Sequence, residues 1–322
     1  MRNMHREAAI WNLFVSAKFV EAAARECEET MRWFGGEAAE EQVANFGRNN
    51  QIYDAFKNRA RNLRRGAELA ALGDYKLLWD AASCFSGDVR GMMDQPLRSW
   101  MTDSEYDEFL NVRVGRISAY TSQIARAIDN AMVGAVTFSD PDPDYPEGAN
   151  YDGGFPGDDI GKIFDAHAGV YERQGVKLPD PLPEVRIDRS IACQTGDEVP
   201  WTGVWYPGTG LDQHSLTFAI EGLRMPPAFR VTKTEEELQA EGIWGGAETV
   251  AVATTWHPVI AYHRQKDGDT ELWAKAGELC PKAGIWQAAD ISAAERTLGV
   301  GDPMPNLGSA YGVTVWRWIR ER

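Results

Sequence analysis

The sequence predicts an α+β protein, with an N-terminal helical bundle followed by a mostly antiparallel β domain. Two changes along the chain lead to this prediction. Apolar residues recur at three- and four-residue steps through the first 139 residues, whereas after residue 200 they alternate with a period of two. These periods are typical of amphipathic helices and of half-buried strands. Between the two parts lies a segment rich in aspartate and proline, which is typical of a linker.

The helical part is predicted from four apolar stripes. The first stripe runs from Ile10 to Val20 on one helix face, and Gly66 and Gly73-Asp74 are expected to break the next helix. Thr102 and Glu105 have the spacing of a capping box, in which each side chain accepts a hydrogen bond from the other residue's backbone amide. A long amphipathic helix is predicted to follow, from Tyr106 to Ile128. Four helices with short connections favour an antiparallel bundle.

The composition shifts set the predicted domain boundaries. Residues 1–139 are predicted to form the helical bundle, and residues 140–183 an acidic, proline-rich linker that contains one helix, from Ile160 to Tyr171. Residues 184–322 are predicted to form the β domain. The strand predictions rest on alternation in Leu216–Ile220, Val250–Val252 and Tyr311–Ile319.

An internal repeat predicts how the β domain is built. The segment Thr195–Trp205 aligns without gaps with Ala276–Trp286, and both read small-Gly-acid-x-apolar-Pro-x-small-Gly-branched-Trp. A second Gly-x-x-x-Pro turn follows each copy, at Gly222–Pro226 and Gly301–Pro305. The sequence therefore predicts two duplicated Gly-x-x-x-Pro/Trp units, which we expect to pack together because one such unit cannot bury its own face.

Composition and charge limit the function classes. The chain has 322 residues, of which 43% are hydrophobic and 25% charged, which excludes intrinsic disorder and a disulfide-rich mini-protein. The formal net charge of −15 argues against nucleic-acid binding and favours a basic or neutral partner. No apolar window is long enough for a membrane span, and the four cysteines are dispersed, so a cytoplasmic protein is expected. The cysteines are Cys27, Cys84, Cys193 and Cys280.

No short motif predicts an enzyme, a cofactor or a metal site. Asp140, Asp142 and Asp144 resemble the start of a calcium loop, but Tyr145 stands where that loop needs glycine and Tyr151 where it needs glutamate. The sequence also lacks the nucleophile, zinc and phosphate-loop signatures. We therefore expect no catalytic residue, no cofactor and no metal ligand.

Three segments resemble a known group of families. Cys193–Trp205, Leu272–Trp286 and Leu307–Trp318 resemble the immunity protein 71/72 families of bacterial polymorphic-toxin and type VI secretion systems, most clearly over residues 185–322. The resemblance implies a protein that binds and neutralises one cognate toxin and protects the producing cell. It implies no catalytic residues.

The charge distribution suggests where such a toxin would bind. Residues 1–139 carry 17 basic and 19 acidic side chains, whereas the rest carry 16 basic and 29 acidic ones. Because an acidic inhibitor attracts a basic toxin over a long range, the acidic residues are the predicted contact set. The set comprises Asp140, Asp142, Asp144, Asp158, Asp159, Glu235, Glu236, Glu237 and Glu241. The alternative is that these residues only solubilise the chain, with Thr234 and Glu237 forming a capping box.

Two other function classes remain open at this stage. Exposed tryptophans of the β part would suit a carbohydrate- or ligand-binding module, since eight of the twelve tryptophans follow residue 200. An unrecognised hydrolase would use His214, His257 and Asp212 as its best candidates. The sequence also leaves a homodimer open, because the first helix is apolar enough to pack against a second copy.

Overall fold

In the part of the chain that the structure describes, the N-terminal half is helical and the C-terminal part contains antiparallel sheets, so the predicted α+β class is confirmed. The computed structural model describes residues 3–36, 49–83, 102–129, 131–132, 160–208, 216–243, 248–261, 272–288, 294–308 and 314–321. Among the described helices, none combines the length and the apolar character that a membrane span requires.

The described helices are named in chain order. They are α1 (Met4–Phe14), α2 (Ala17–Gly36), α3 (Asn49–Ala70), α4 (Lys76–Ser83), α5 (Asp103–Asp107), a π-helix (Glu108–Val114), α6 (Gly115–Asp129), α7 (Ile160–Arg173) and α8 (Glu235–Ala240). The helix predicted from Ile160 is confirmed as α7.

The first apolar stripe belongs to two helices rather than one. Ser16 separates them, because its hydroxyl donates to the carbonyl of Leu13 (2.7 Å) and accepts from the backbone N–H of Phe19 (3.2 Å). The same side chain therefore serves the last turn of α1 and the first turn of α2. The apolar spacing continues across this break, which is why the sequence pattern alone did not show it.

Gly66 does not break a helix, so that part of the prediction was wrong, whereas the helix does end before Gly73. Gly66 lies inside α3, where a Cβ atom would sit 2.7 Å from both Cα and N of Leu78 in α4. The missing side chain thus allows two helix backbones to approach closely. Glycine costs some helix stability, and here it is used for packing.

The capping box at Thr102 is confirmed, and the long helix after it has an unpredicted π-helical part. The Glu105 carboxylate accepts from the Thr102 N–H (2.8 Å), and the Thr102 hydroxyl accepts from the Glu105 N–H (3.2 Å). The π-helix then carries Phe109 into the core, where its ring lies 6.3 Å from Trp33 and 6.2 Å from Phe56.

The strands form two larger sheets and one ribbon. They are β1 (Val185–Ile187), β2 (Cys193–Gln194), β3 (Gly203–Pro207), β4 (Thr217–Ala219), β5 (Ala228–Lys233), β6 (Glu248–Val252), β7 (Thr255–Ala261), β8 (Trp273–Lys275), β9 (Gly284–Ala288), β10 (Glu295–Leu298) and β11 (Val315–Arg320). The first sheet has the order β1-β7-β3-β4, with β2 also paired to β7, and the second sheet has the order β10-β9-β11-β8. Strands β5 and β6 pair with each other. Every one of these pairings is antiparallel.

The predicted strand segments are found where the structure describes them. β4 lies in Leu216–Ile220, β6 covers Val250 and Val252, and β11 begins at Val315. Tyr311 and Val313 lie outside the described residues.

The helices and the first sheet share one hydrophobic core. Val204, Phe218 and Ile220 of the first sheet and its flanks belong to the same buried cluster as the helical side chains. The ring of Phe218 meets Tyr75 edge to face, with the ring centres 5.7 Å apart. The opposite face of the first sheet buries a second cluster, which includes Trp205.

The second sheet has a hydrophobic cluster of its own. Trp286 and Trp316 are completely buried in it, together with Cys280 and Met304. Within the described residues, all members of this cluster come from the second sheet and its adjoining turns.

The first and second sheets carry corresponding turn bonds. The Gly196 N–H donates to the carbonyl of Met225 (2.9 Å), as the Gly277 N–H donates to that of Met304 (2.9 Å). Both glycines have positive φ, 88° and 86°. In addition, indole Nε1 of Trp256 donates to the carbonyl of Pro226 (2.9 Å), and that of Trp316 to the carbonyl of Pro305 (2.8 Å).

A buried carboxylate ties α2 to α7. The Glu26 side chain is 2% exposed, and it accepts from Arg173 Nη2 (2.7 Å) and from Gln174 Nε2 (2.8 Å). A buried charge of this kind is tolerated only when it is paired and hydrogen-bonded. The network therefore fixes how these two helices meet.

Candidate protein-binding surface

The four predicted acidic residues that the structure describes lie together on one element. We call this element the acidic arm, which consists of β5, α8 with its flanking residues to Ile243, and β6. Glu235, Glu236 and Glu237 form the first turn of α8, and Glu241 is its C-terminal cap. All four are exposed. The arm thus presents four carboxylates on a helix that is carried by a two-stranded ribbon.

A capping box fixes the start of α8, as the alternative interpretation of this segment expected. The Glu237 carboxylate accepts from the Thr234 N–H (2.7 Å), and the Thr234 hydroxyl accepts from the Glu237 N–H (3.2 Å). The backbone hydrogen bond from Thr234 is the main reason why the pKa of Glu237 lies below its usual value. Glu237 therefore keeps its negative charge at neutral pH.

Two further carboxylates of the arm, those of Glu235 and Glu241, are also held in place. Lys233 Nζ donates to both carboxylate oxygens of Glu241, at 3.0 and 2.8 Å, and this contact raises the pKa of Lys233. Gln239 Nε2 donates to Glu235 (2.9 Å). These bonds order the carboxylates without burying them, so their charges still face solvent.

The arm also carries two apolar side chains with opposite roles. Leu238 is buried and anchors α8, whereas Ile243 just after the helix is 51% exposed. An acidic surface with an exposed apolar group can give a partner both long-range attraction and apolar contact.

The remaining predicted contact residues lie outside the part of the chain that the structure describes. These are Asp140, Asp142, Asp144, Asp158 and Asp159.

A second surface feature was missed by the sequence interpretation. Leu279 and Val300, on turns of the second sheet, are 68% and 71% exposed, and Pro303 is also exposed. Leu279 pairs directly with Pro303. A signal was present in the internal alignment, where Leu279 stands opposite Glu198 at the one unspecified position between the acid and the apolar residue.

The hydrolase candidates are only partly described. His257 lies on β7, and its Nδ1 is 2.8 Å from the carbonyl oxygen of Ile191, so this nitrogen carries the proton and donates. His214 and Asp212 lie outside the described residues. Among the residues that are described, no three His, Cys, Asp or Glu side chains are arranged to hold a metal ion.

The described cysteines are free thiols in buried positions. Burial raises the pKa of Cys27 to about 12 and that of Cys193 to about 11, and Cys280 is also buried. A thiol whose pKa lies this far above neutral forms little thiolate.

Four of the seven described tryptophans after residue 200 contribute to the cores, so they cannot stack on a ligand. Trp205, Trp256, Trp286 and Trp316 are buried to within 1% of their surface. Trp318 is half-buried, and Lys282 Nζ lies 3.7 Å from the centre of its ring.

Comparison with known proteins gives no relative. No family model, no curated protein and no solved structure matches the chain.

Proposed function

We propose that this protein is an immunity protein, which binds a cognate antibacterial toxin in the cytoplasm of the producing cell and blocks its active site by stoichiometric binding. The toxin is a secreted effector of the type VI or a related polymorphic system, and it has a basic surface. The proposed mechanism needs no bond chemistry from the inhibitor, because binding alone covers the active site.

The acidic arm is the observation that supports this proposal. The four predicted carboxylates of α8 and its C-terminal cap are exposed, and three of these four are held by hydrogen bonds within the arm. Charges that are already ordered lose little side-chain entropy when a partner binds. The arm carries five acidic and two basic side chains, and an excess of negative charge raises the rate at which a basic protein associates.

The first experiment is capture of the partner from the native cell with the full-length protein as bait, followed by mass spectrometry. We expect one basic protein at one-to-one stoichiometry, which is toxic when it is expressed alone and harmless when it is expressed with this protein. Failure to recover any protein partner would overturn the proposal.

The second experiment tests the arm itself. The double variant Glu235→Lys/Glu236→Lys reverses two charges but leaves the Thr234–Glu237 capping box intact. We expect the association rate for the toxin to fall at least tenfold at low salt, and the difference from the wild type to shrink at high salt because salt screens exposed charges.

A matched control separates the arm from net charge. Asp54 and Glu68 are exposed acidic residues on α3, far from the arm in the sequence. The variant Asp54→Lys/Glu68→Lys has the same net charge as the arm variant, and we expect it to associate almost as fast as the wild type. Equal losses in both variants would show that overall charge matters and that the arm does not.

A further inference from the structure

The second sheet carries an exposed apolar patch where the first sheet carries charges. We call Leu279, Val300 and Pro303 the apolar turn patch. The two sheets can be compared position by position here, because Leu279 pairs with Pro303 as Glu198 pairs with Arg224. Those two residues of the first sheet are exposed as well.

The remaining residue of the patch, Val300, is matched to a residue of the first sheet by another pair of corresponding hydrogen bonds. The Gly301 N–H donates to the carbonyl of Cys280 (2.9 Å), and the Gly222 N–H donates to that of Val199 (3.0 Å). Val300 and Glu221 each precede the donating glycine, so they are equivalent. The patch is therefore Leu, Val and Pro where the first sheet has Glu, Glu and Arg.

The fold does not require apolar residues at these positions. The backbone bonds that shape the turns are the same in both sheets, and the first sheet makes them with charged side chains. Leu279 and Val300 also contribute little to the core, since the two residues are 68% and 71% exposed. Exposed apolar residues that lie next to one another, as Leu279 and Pro303 do, and that packing does not explain are typical of interaction sites.

Acidic neighbours indicate the chemistry of the partner. Glu278 and Asp302 flank the patch in sequence, and both are exposed. Each carboxylate accepts a backbone N–H at 2.7 Å, Glu278 from Lys275 and Asp302 from Gly299, so both negative charges are held in place beside the apolar groups. This combination suits a basic protein surface that presents an apolar side chain between lysines or arginines.

We infer that the apolar turn patch is a docking site for a basic protein, whose apolar side chain contacts Leu279 and Val300 while its cationic groups face Glu278 and Asp302. The identity of that protein as a toxin rests on the proposed function. The contact itself does not depend on the toxicity of the partner.

The test exchanges the patch for the residues of the first sheet. The triple variant Leu279→Glu/Val300→Glu/Pro303→Arg is expected to fold with an unchanged thermal midpoint, because the first sheet has these residues in the same turns. Its affinity for the captured basic partner is expected to fall at least tenfold, measured by titration calorimetry at fixed salt. The control is Leu72→Glu, since Leu72 is 83% exposed on the turn after α3 and should leave the affinity unchanged.

The outcomes distinguish this inference from the proposed function. Suppose that the captured partner is basic but not toxic, and that the triple variant binds it weakly while the Leu72 variant binds it normally. This result would support the patch and overturn the immunity role. A toxin bound equally well by the triple variant and the wild type would overturn the patch and leave the immunity role standing. Equal weakening by the Leu72 variant, an acidic partner, or no partner at all would overturn the patch.

Discussion

The stability that depends on an ion pair in this protein varies with how deeply its carboxylate is buried. Glu26 lies in the interface between α2 and α7, where water does not compete for it. Glu68 is 65% exposed and pairs with Arg65 at 2.6 Å on the surface of α3. The two contacts have similar lengths, yet only removal of Arg173 would leave a buried carboxylate without its cation.

We predict that Arg173→Met lowers the free energy of unfolding by about 3 kcal/mol, because it leaves the Glu26 carboxylate buried with Gln174 as its remaining donor. Urea denaturation at pH 7 measures the change. The control Arg65→Met should change stability by less than about 1 kcal/mol. Similar losses in both variants would contradict the argument, whereas partial recovery in Glu26→Gln/Arg173→Met would support it.

A second residue-scale prediction concerns pH. The hydrogen bond from Arg64 is the main reason why the pKa of Glu28 lies below its usual value of 4.5. A lowered folded-state pKa means that the pair stabilises the protein above pH 4.5, and that this contribution disappears as the pH falls through the folded-state pKa. We therefore expect Arg64→Met to lose less stability between pH 7 and pH 3 than the wild type does. Urea denaturation at both pH values decides this, and an equal acid loss in the two proteins would refute it.

At the scale of elements, helix contacts depend on backbone proximity as much as on apolar stripes. α3 and α4 meet where Gly66 has no side chain, with Leu78 of α4 directly opposite. Gly115 is also helical, at the start of α6, but a Cβ atom there would meet nothing within 4 Å. The same residue type thus has a packing role in one helix and none in the other.

We predict opposite effects for the two glycine-to-alanine variants. Gly66→Ala should destabilise by about 1–3 kcal/mol, because the new Cβ forces α3 and α4 apart. Gly115→Ala should stabilise by about 0.5–1 kcal/mol, because alanine favours helix and nothing obstructs it. Thermal melts followed by circular dichroism measure both, and a stabilised Gly66→Ala variant would show that the close approach is not required.

At the scale of the whole molecule, the main core joins the helices to the first sheet. Phe218 is 2% exposed and belongs to this core, although it lies on a strand. Thr297 is the equivalent residue of the second sheet, because it pairs with Ile285 as Phe218 pairs with Val204, and it is exposed. The helices and the first sheet are therefore expected to unfold together.

We predict that Phe218→Ala lowers stability by about 3–5 kcal/mol and that the loss is visible in the helical circular dichroism signal. Thr297→Ala should change the stability obtained from the same signal by no more than about 0.5 kcal/mol. A Phe218→Ala variant with unchanged helix melting would contradict a shared core.

Local chemistry was predictable from the sequence, and contacts between distant segments were not. The boxes at Thr102 and Thr234 were visible because each depends on four consecutive residues. The role of Gly66 depends on a partner twelve residues away in another helix, and no spacing encodes that approach. The α+β class was predictable because the apolar period changes once along the chain.

The candidate surface was predictable only in part. Runs of glutamate identified the acidic arm, but not the hydrogen bonds that order it. The apolar turn patch escaped notice because Leu279 and Val300 are ordinary apolar residues whose exposure depends on the turns around them. Comparison of the two aligned segments could have found Leu279, since it is aligned with the charged residue Glu198.

The segments that form the shared core emerge from the ribosome at different times. The last helix before the first sheet, α7, ends at Arg173, but the first sheet is complete only when β7, which ends at Ala261, pairs with β1 and β3. Nearly ninety residues must emerge between these two points, which takes several seconds at about 5–20 residues per second. Before the strand side chains of the shared core emerge, Phe218 among them, the nascent helices hold an uncovered apolar face, so we expect chaperones to bind the growing chain there before its partner can bind.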